Sequence, residues 1–184
     1  MSGALLVRAG TTAACAVATA FACAVALGAC ATPPPAPVDA GAPRMAPAAM
    51  VAAIRAAGGR DDTELAVQPL RDPMVDDLRE RAQRLESDGR VADAAAALDH
   101  ALRIVPDDPA LLQERAEAAV LLGDLATAQA QAQRAWEIGA KVGPLCRRHA
   151  ETLHQLRLAA NDAAGAANAA QRRDACTVAA PARY

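Results

Sequence analysis

Val75–Asp108, VDDLRERAQRLESDGRVADAAAALDHALRIVPDD, laid over Pro109–Val142, PALLQERAEAAVLLGDLATAQAQAQRAWEIGAKV, coincides at ten of 34 positions. The pairs are Leu78/Leu112, Glu80/Glu114, Arg81/Arg115, Ala82/Ala116, Gly89/Gly123, Ala92/Ala126, Ala94/Ala128, Ala96/Ala130, Ala101/Ala135 and Ile104/Ile138. Five of these are Ala, where the Ala content of the two windows gives about two by chance, and the other five are not Ala at all. A period of this length marks a repeat protein, whose unit buries its apolar face only against the next copy. Each unit reads as a helical hairpin. Gly89 and Gly123 stand where a first helix must end in a left-handed turn, and an Ala-rich second helix follows at once. Asp72-Pro73 and Asp108-Pro109 each supply an N-cap and a proline whose fixed φ suits the first helical turn.

Gly143-Pro144 starts a third unit in the same way. That unit continues with Ala150 and, allowing one inserted residue, with Ala163, Ala167 and Ala170. Arg157 replaces the turn glycine, so the turn is expected at Leu158–Asn161, with Asn161 capping the next helix. The period, the spacing of small residues and the turn glycine resemble the tetratricopeptide repeat from Pro73 to Cys176. The resemblance implies an all-α fold, a short solenoid of about three hairpins. It also implies that a small residue in each first helix and two in each second helix let the axes approach closely. Those places hold Ala82, Ala94 and Ala101, then Ala116, Ala128 and Ala135. The large residues usual in the first helices of that family are Leu78, Leu85, Leu112 and Ala119 here, so each repeat is expected to be weakly stable and to need support at its ends.

Composition agrees with helices. Fifty-three of 184 residues are Ala, the best helix former, while Trp, Tyr and Phe occur once each. A sandwich or barrel, which needs β-branched and aromatic residues on alternate positions, is excluded. The net charge of −2 comes from interspersed acids and bases, with no basic stripe to follow a phosphate backbone, so nucleic acid is not an expected partner.

Upstream of the repeats, no charge occurs from Ala9 to Ala31, and Arg8 precedes that run. A short basic region followed by an apolar one is the pattern of a secretory signal. It ends at Leu27-Gly28-Ala29-Cys30, which resembles the lipobox of bacterial lipoproteins. The resemblance implies cleavage before Cys30 and a diacylglycerol on its thiol; ordinary secretion and a retained transmembrane helix are the competing readings. Residues 31–47, ATPPPAPVDAGAPRMAP, carry too many prolines for helix or paired strand and read as an extended tether. Ala31, rather than Asp, follows the cysteine, which points to the outer membrane with the domain facing the periplasm. The expected organisation is a signal peptide over 1–29, lipidated Cys30 and linker over 30–47, a short helix and extended cover segment over 48–71, repeats over 72–177 and a disordered tail over 178–184. In the cover segment Met50, Ile54 and Ala57 share one helical face that breaks at Gly58-Gly59, and the strip Leu65–Leu70 follows. It is expected to lie on the first hairpin, or else to continue the tether.

Two cysteines remain in the repeats, Cys146 and Cys176. In an oxidising compartment an even pair reads as a disulfide, here joining the start of one helix to the end of its antiparallel neighbour; two free thiols, or a metal site with His149 and His154, are the rivals. His149 and His154 are five residues apart and do not share a helical face, which argues against tetrahedral zinc. No metal, cofactor or small-molecule substrate is expected. The chain has no G-x-S-x-G, no H-E-x-x-H and no phosphate-binding loop, and His100, His149 and His154 read as solvated helix-surface residues. Catalysis is not expected.

What is left is a surface. In the tetratricopeptide family the first helices line a concave groove that receives a peptide, which implies a role for Arg79, Gln83, Gln113, Glu117, Arg147 and Glu151. Around these lie Asp76 and Glu86, Val120 and Leu121, and His154 and Gln155. The Lys/Asn pair by which some members hold a terminal carboxylate is not matched. The expected function is therefore a non-catalytic, membrane-tethered periplasmic scaffold that binds or helps assemble another envelope protein. The alternative is a permanent accessory subunit of an envelope enzyme, a secretion assembly or a pilus-type assembly.

Overall fold

A computed structural model describes residues 45–59 and 72–177. The described residues form seven α-helices and no strand: α1 (Pro47–Ala57), α2 (Pro73–Ser87), α3 (Val91–Ile104), α4 (Pro109–Leu122), α5 (Leu125–Ile138), α6 (Gly143–Ala159) and α7 (Ala163–Ala175). Cys30, the tether up to residue 44, the Leu65–Leu70 strip and the tail over 178–184 lie outside the described residues. No helix among the described residues is long and apolar enough to cross a membrane.

Three hairpins, α2/α3, α4/α5 and α6/α7, stack in chain order through α3 on α4 and α5 on α6. Each turn within a hairpin closes in the same way. The amide of Arg90 donates to the Leu85 carbonyl at 2.8 Å, that of Asp124 to Ala119 at 2.9 Å and that of Asp162 to Arg157 at 2.9 Å. The residue before each donor is left-handed, with φ of 75° at Gly89, 75° at Gly123 and 57° at Asn161. Asn161 thus fills the turn-glycine place and is not the cap. The cap is Asp162, whose carboxylate accepts from the Gly165 amide at 2.8 Å. Asn tolerates left-handed φ better than other side chains, which accounts for the substitution.

Asp72 and Asp108 cap α2 and α4 through the amides of Met74 and Ala110. The third unit departs here: α6 has no side-chain cap, and Gly143 is left-handed with its amide on the Cys176 carbonyl at 2.9 Å. The alanines at the close contacts are buried, with exposure of 0–4% for Ala82, Ala94, Ala101, Ala116, Ala128, Ala135 and Ala150. In α7 the buried residues are Ala166 and Ala169, which follow Ala132 and Ala135 by 34 residues. The one-residue insertion read from the sequence is therefore wrong: Ala163 and Ala167 are exposed and Ala170 is half-buried. The turn is displaced rather than lengthened: α6 runs 17 residues against 14 for α4, and the left-handed residue falls at Asn161 instead of at Arg157, while the packing alanines keep the period.

Two cores result. One joins Val75, Leu78, Leu85, Leu98 and Leu111 around the alanines of the first hairpin. The other joins Ala116, Val120, Ala128, Leu153 and Leu156 with two residues from outside the repeats, Met50 and Val51. Those two belong to α1, which packs on α6 and α4 rather than on the first hairpin. Its buried face is Met50, Val51 and Ile54, with Ala57 only half-buried.

Candidate functional site

The six residues assigned to a partner groove occupy two places of the repeat. Arg79, Gln113 and Arg147 are 34 apart, as are Gln83, Glu117 and Glu151. All six fall on the first helices, as the repeat requires, but they do not share an environment. Gln83 is exposed and Arg79 half-buried, whereas Gln113, Glu117, Arg147 and Glu151 are 0, 1, 9 and 4% exposed. The expectation that the last four face an open groove is corrected: α1 lies along α4 and α6 beside them.

The ion pairs show how α1 is seated. Arg55 donates from Nε to Glu117 at 2.8 Å and from both terminal nitrogens to Glu86 at 2.8 and 3.0 Å, so one guanidinium joins α1 to α2 and α4. Hydrogen bonds from Glu86 first, then Glu117, hold the Arg55 pKa above its ordinary value against the opposing effect of burial. At the other end Arg147 donates to the carbonyls of Ala57 at 3.1 Å and Gly58 at 2.9 Å. A cation on the final carbonyls of a helix satisfies orphaned acceptors and complements the dipole.

Beneath α1 runs a polar layer. Gln113 Nε2 donates to Glu117 at 2.9 Å and to Thr152 at 2.8 Å, and Thr152 donates to the Arg148 carbonyl at 2.9 Å. Arg148 Nε donates to Glu117 at 3.2 Å. One turn on, Glu151 accepts from Gln155 at 2.6 Å and from Arg173 at 2.7 Å. Sequence reasoning missed Arg55, Arg148, Thr152 and Arg173 as members of this layer. The one available signal was that Arg55 adjoins Ile54 at the edge of the apolar face of α1.

Past the apolar seat of α1, with Arg55 at its edge, the concave side stays open over the first hairpin. A cleft of about 540 Å³ is lined by Arg55, Arg79, Gln83, Glu86, Ser87, Glu114, Glu117 and Arg148, with Ala82, Ala94 and Leu98 as its apolar part. Arg79 is held there by Glu114 through Nε at 3.0 Å and a second nitrogen.

The remaining candidates are structural. Cys146 and Cys176 form a disulfide with a Cα–Cα distance of 5.7 Å, joining the first turn of α6 to the end of α7. His149 is not a surface residue: it is 1% exposed, with Nε2 3.2 Å from the Pro109 carbonyl, and burial pushes its pKa down to about 4. Gly139 has no room for a side chain, because a Cβ there would lie 2.9 Å from the His149 ring. His154 Nδ1 lies 2.9 Å from the Ala166 carbonyl, within its own hairpin, while His100 is exposed. Among the described residues no group of three His, Cys, Asp or Glu is placed to hold a metal ion.

No protein-family model and no curated protein matches the chain. Among solved structures it is similar to the globular C-terminal domain of P. aeruginosa LpoP. The two share 32% sequence identity over 57% of this chain and 99% of that one, with a TM-score of 0.53. With that identity over nearly the whole of the solved domain, the chain belongs to the family of the LpoP globular C-terminal domain.

Proposed function

We propose that this protein is a non-catalytic accessory of the bacterial cell envelope, held by a lipidated Cys30 at the outer membrane and engaging an envelope enzyme through its repeat domain. The kinship with LpoP carries this reading and directs the search for the partner to the peptidoglycan synthases of the same envelope. Two features of the site support it. The acidic groups of the concave layer are engaged by arginines, Glu117 by Arg55 and Arg148 and Glu151 by Arg173, an arrangement that holds helices together rather than one that poises a proton for transfer. The cleft over the first hairpin also combines apolar lining with polar rims, the composition of a protein-docking surface.

The test is reconstitution of the domain with the peptidoglycan synthase from the same organism, reading complex formation and the rate of glycan polymerisation. Wild type is expected to bind and to raise the rate. Gln83→Arg, which fills the cleft from an exposed position, is expected to lose the effect while its circular dichroism is unchanged. Absence of both binding and stimulation by the wild type overturns the proposal, and so does turnover of cell-wall substrate by the domain alone.

A further inference from the structure

α1 meets the repeats as a ligand meets a site. It engages through one face (Met50, Val51 and Ile54), one cation (Arg55) and one end, where Arg147 receives its final carbonyls. Ala52, Arg55 and Ala56 are exposed, and Ala46, at its N-cap, makes no side-chain capping bond. An eleven-residue helix is too short to persist in water by itself, so α1 takes its order from the groove. The groove does not depend on α1 in return. With α1 gone, Glu117 keeps Arg148 and Gln113, and Glu151 keeps Gln155 and Arg173, all on the repeats' own helices. Undocking therefore strands neither buried carboxylate, the event that makes most breaks in a buried polar layer prohibitive, while Arg147 gives up the carbonyls of Ala57 and Gly58. The cost falls on the apolar face of α1 and on the alanines beneath it.

We infer that the α4/α6 part of the concave face is a helix-binding site kept closed by the chain's own α1. It exchanges α1 for a partner's amphipathic helix of the same chemistry: apolar residues at i, i+1 and i+4 and a basic residue at i+5. The apolar positions replace Met50, Val51 and Ile54, and the basic one replaces Arg55 on Glu117. A partner lacking the cation leaves Glu117 with Arg148 as its one cation, beside Gln113; a partner with an acid at that place meets a buried carboxylate and is rejected. The inference rests on the accessory reading only for the identity of the partner. The cleft around Gln83 borders this site and shares Arg55, Glu117 and Arg148 with it, but its α2 and α3 lining (Arg79, Gln83, Leu98) forms no part of the apolar seat of α1, so failure here leaves that reading standing.

The probe is a labelled peptide of residues 46–58, and the protein is the mature chain, wild type or Ile54→Glu. Closure lowers apparent affinity by the fraction of molecules that are open, so the Ile54→Glu chain is expected to bind the peptide at least about tenfold more tightly than wild type. A peptide carrying Ile54→Glu itself is expected to bind neither. In wild type, α1 amides are expected to exchange hydrogen well ahead of those in the centres of α4 and α6. Equal exchange of α1, α4 and α6 overturns the inference, as does an Ile54→Glu chain that unfolds, or one that keeps its helical spectrum and gains no peptide affinity. A wild-type dimer that Ile54→Glu dissolves assigns the site to a second copy and overturns the partner assignment.

Discussion

The first hairpin and the two that follow carry the same repeat and live in different surroundings. At one repeat place Gln83 is in water while Glu117 and Glu151 are buried; at another Arg81 is exposed, Arg115 half-buried and His149 buried. The second place differs through stacking, because Arg115 pairs with Asp99 of α3 and His149 seats against Pro109 and Gly139, whereas Arg81 lies on the first hairpin; the first place differs through α1. α2 presents its concave side to a cleft, whereas α4 and α6 are covered by α1, and the α6/α7 hairpin is closed by a disulfide besides. A repeat array with three hairpins has few internal interfaces to share its stability. This one gains burial and a covalent clasp in its last two units and leaves the first unit open.

The largest effect that would sharpen this contrast is loss of the clasp. Replacing Cys146 and Cys176 by Ser opens a loop of 30 residues and is expected to cost roughly 3 to 4 kcal/mol in the chain-entropy picture. The loss should appear as a lower urea midpoint and as faster hydrogen exchange in α6 and α7 than in α2 and α3. Uniform acceleration across all three hairpins would break the comparison.

Next comes His149, which titrates near 4 in the folded chain against 6.5 when free. Above pH 6.5 the ring is neutral in both states and contributes no pH dependence. As pH falls from 6.5 towards 4, the unfolded chain takes up a proton that the folded chain refuses. Stability therefore drops over that window, by roughly 3 kcal/mol, and levels off below it. His149→Gln is expected to flatten this part of the profile, measured as urea midpoint against pH. An unchanged slope would show that the third unit is not sealed around this ring.

The most direct comparison is between equivalent places. Glu117→Ala removes the acceptor of Arg55, Arg148 and Gln113, and because both arginines are partly exposed the expected loss is about 2 to 3 kcal/mol. Gln83→Ala, one repeat earlier, is expected to change stability by less than about 0.5 kcal/mol. Equal losses at the two places would mean that α1 does not set the difference between the units.

The legible part of the fold was the local part. A left-handed turn needs Gly or Asn, a capped start needs Asp before Pro, and a close helix crossing needs Ala, and each of these leaves a residue type at a fixed spacing. The register of α7 was misread because a longer α6 moved the turn later in the repeat while the packing period held. Ala166 and Ala169 keep the distance of 34 from their counterparts, and in a run where most residues are Ala the wrong ones fit equally well.

The site was legible as a set of places and not as an environment. The repeat located Arg79, Gln83, Gln113, Glu117, Arg147 and Glu151 on the first helices, because period and helical phase are properties of the chain alone. Which of them meet water depends on where α1 goes, and α1 reaches α4 and α6 across more than fifty residues of sequence with no pattern linking the two. Burial is decided by the surface that arrives from elsewhere in the chain, so the sequence by itself determined the hairpins, and only the tertiary structure decided which part of their concave face was closed.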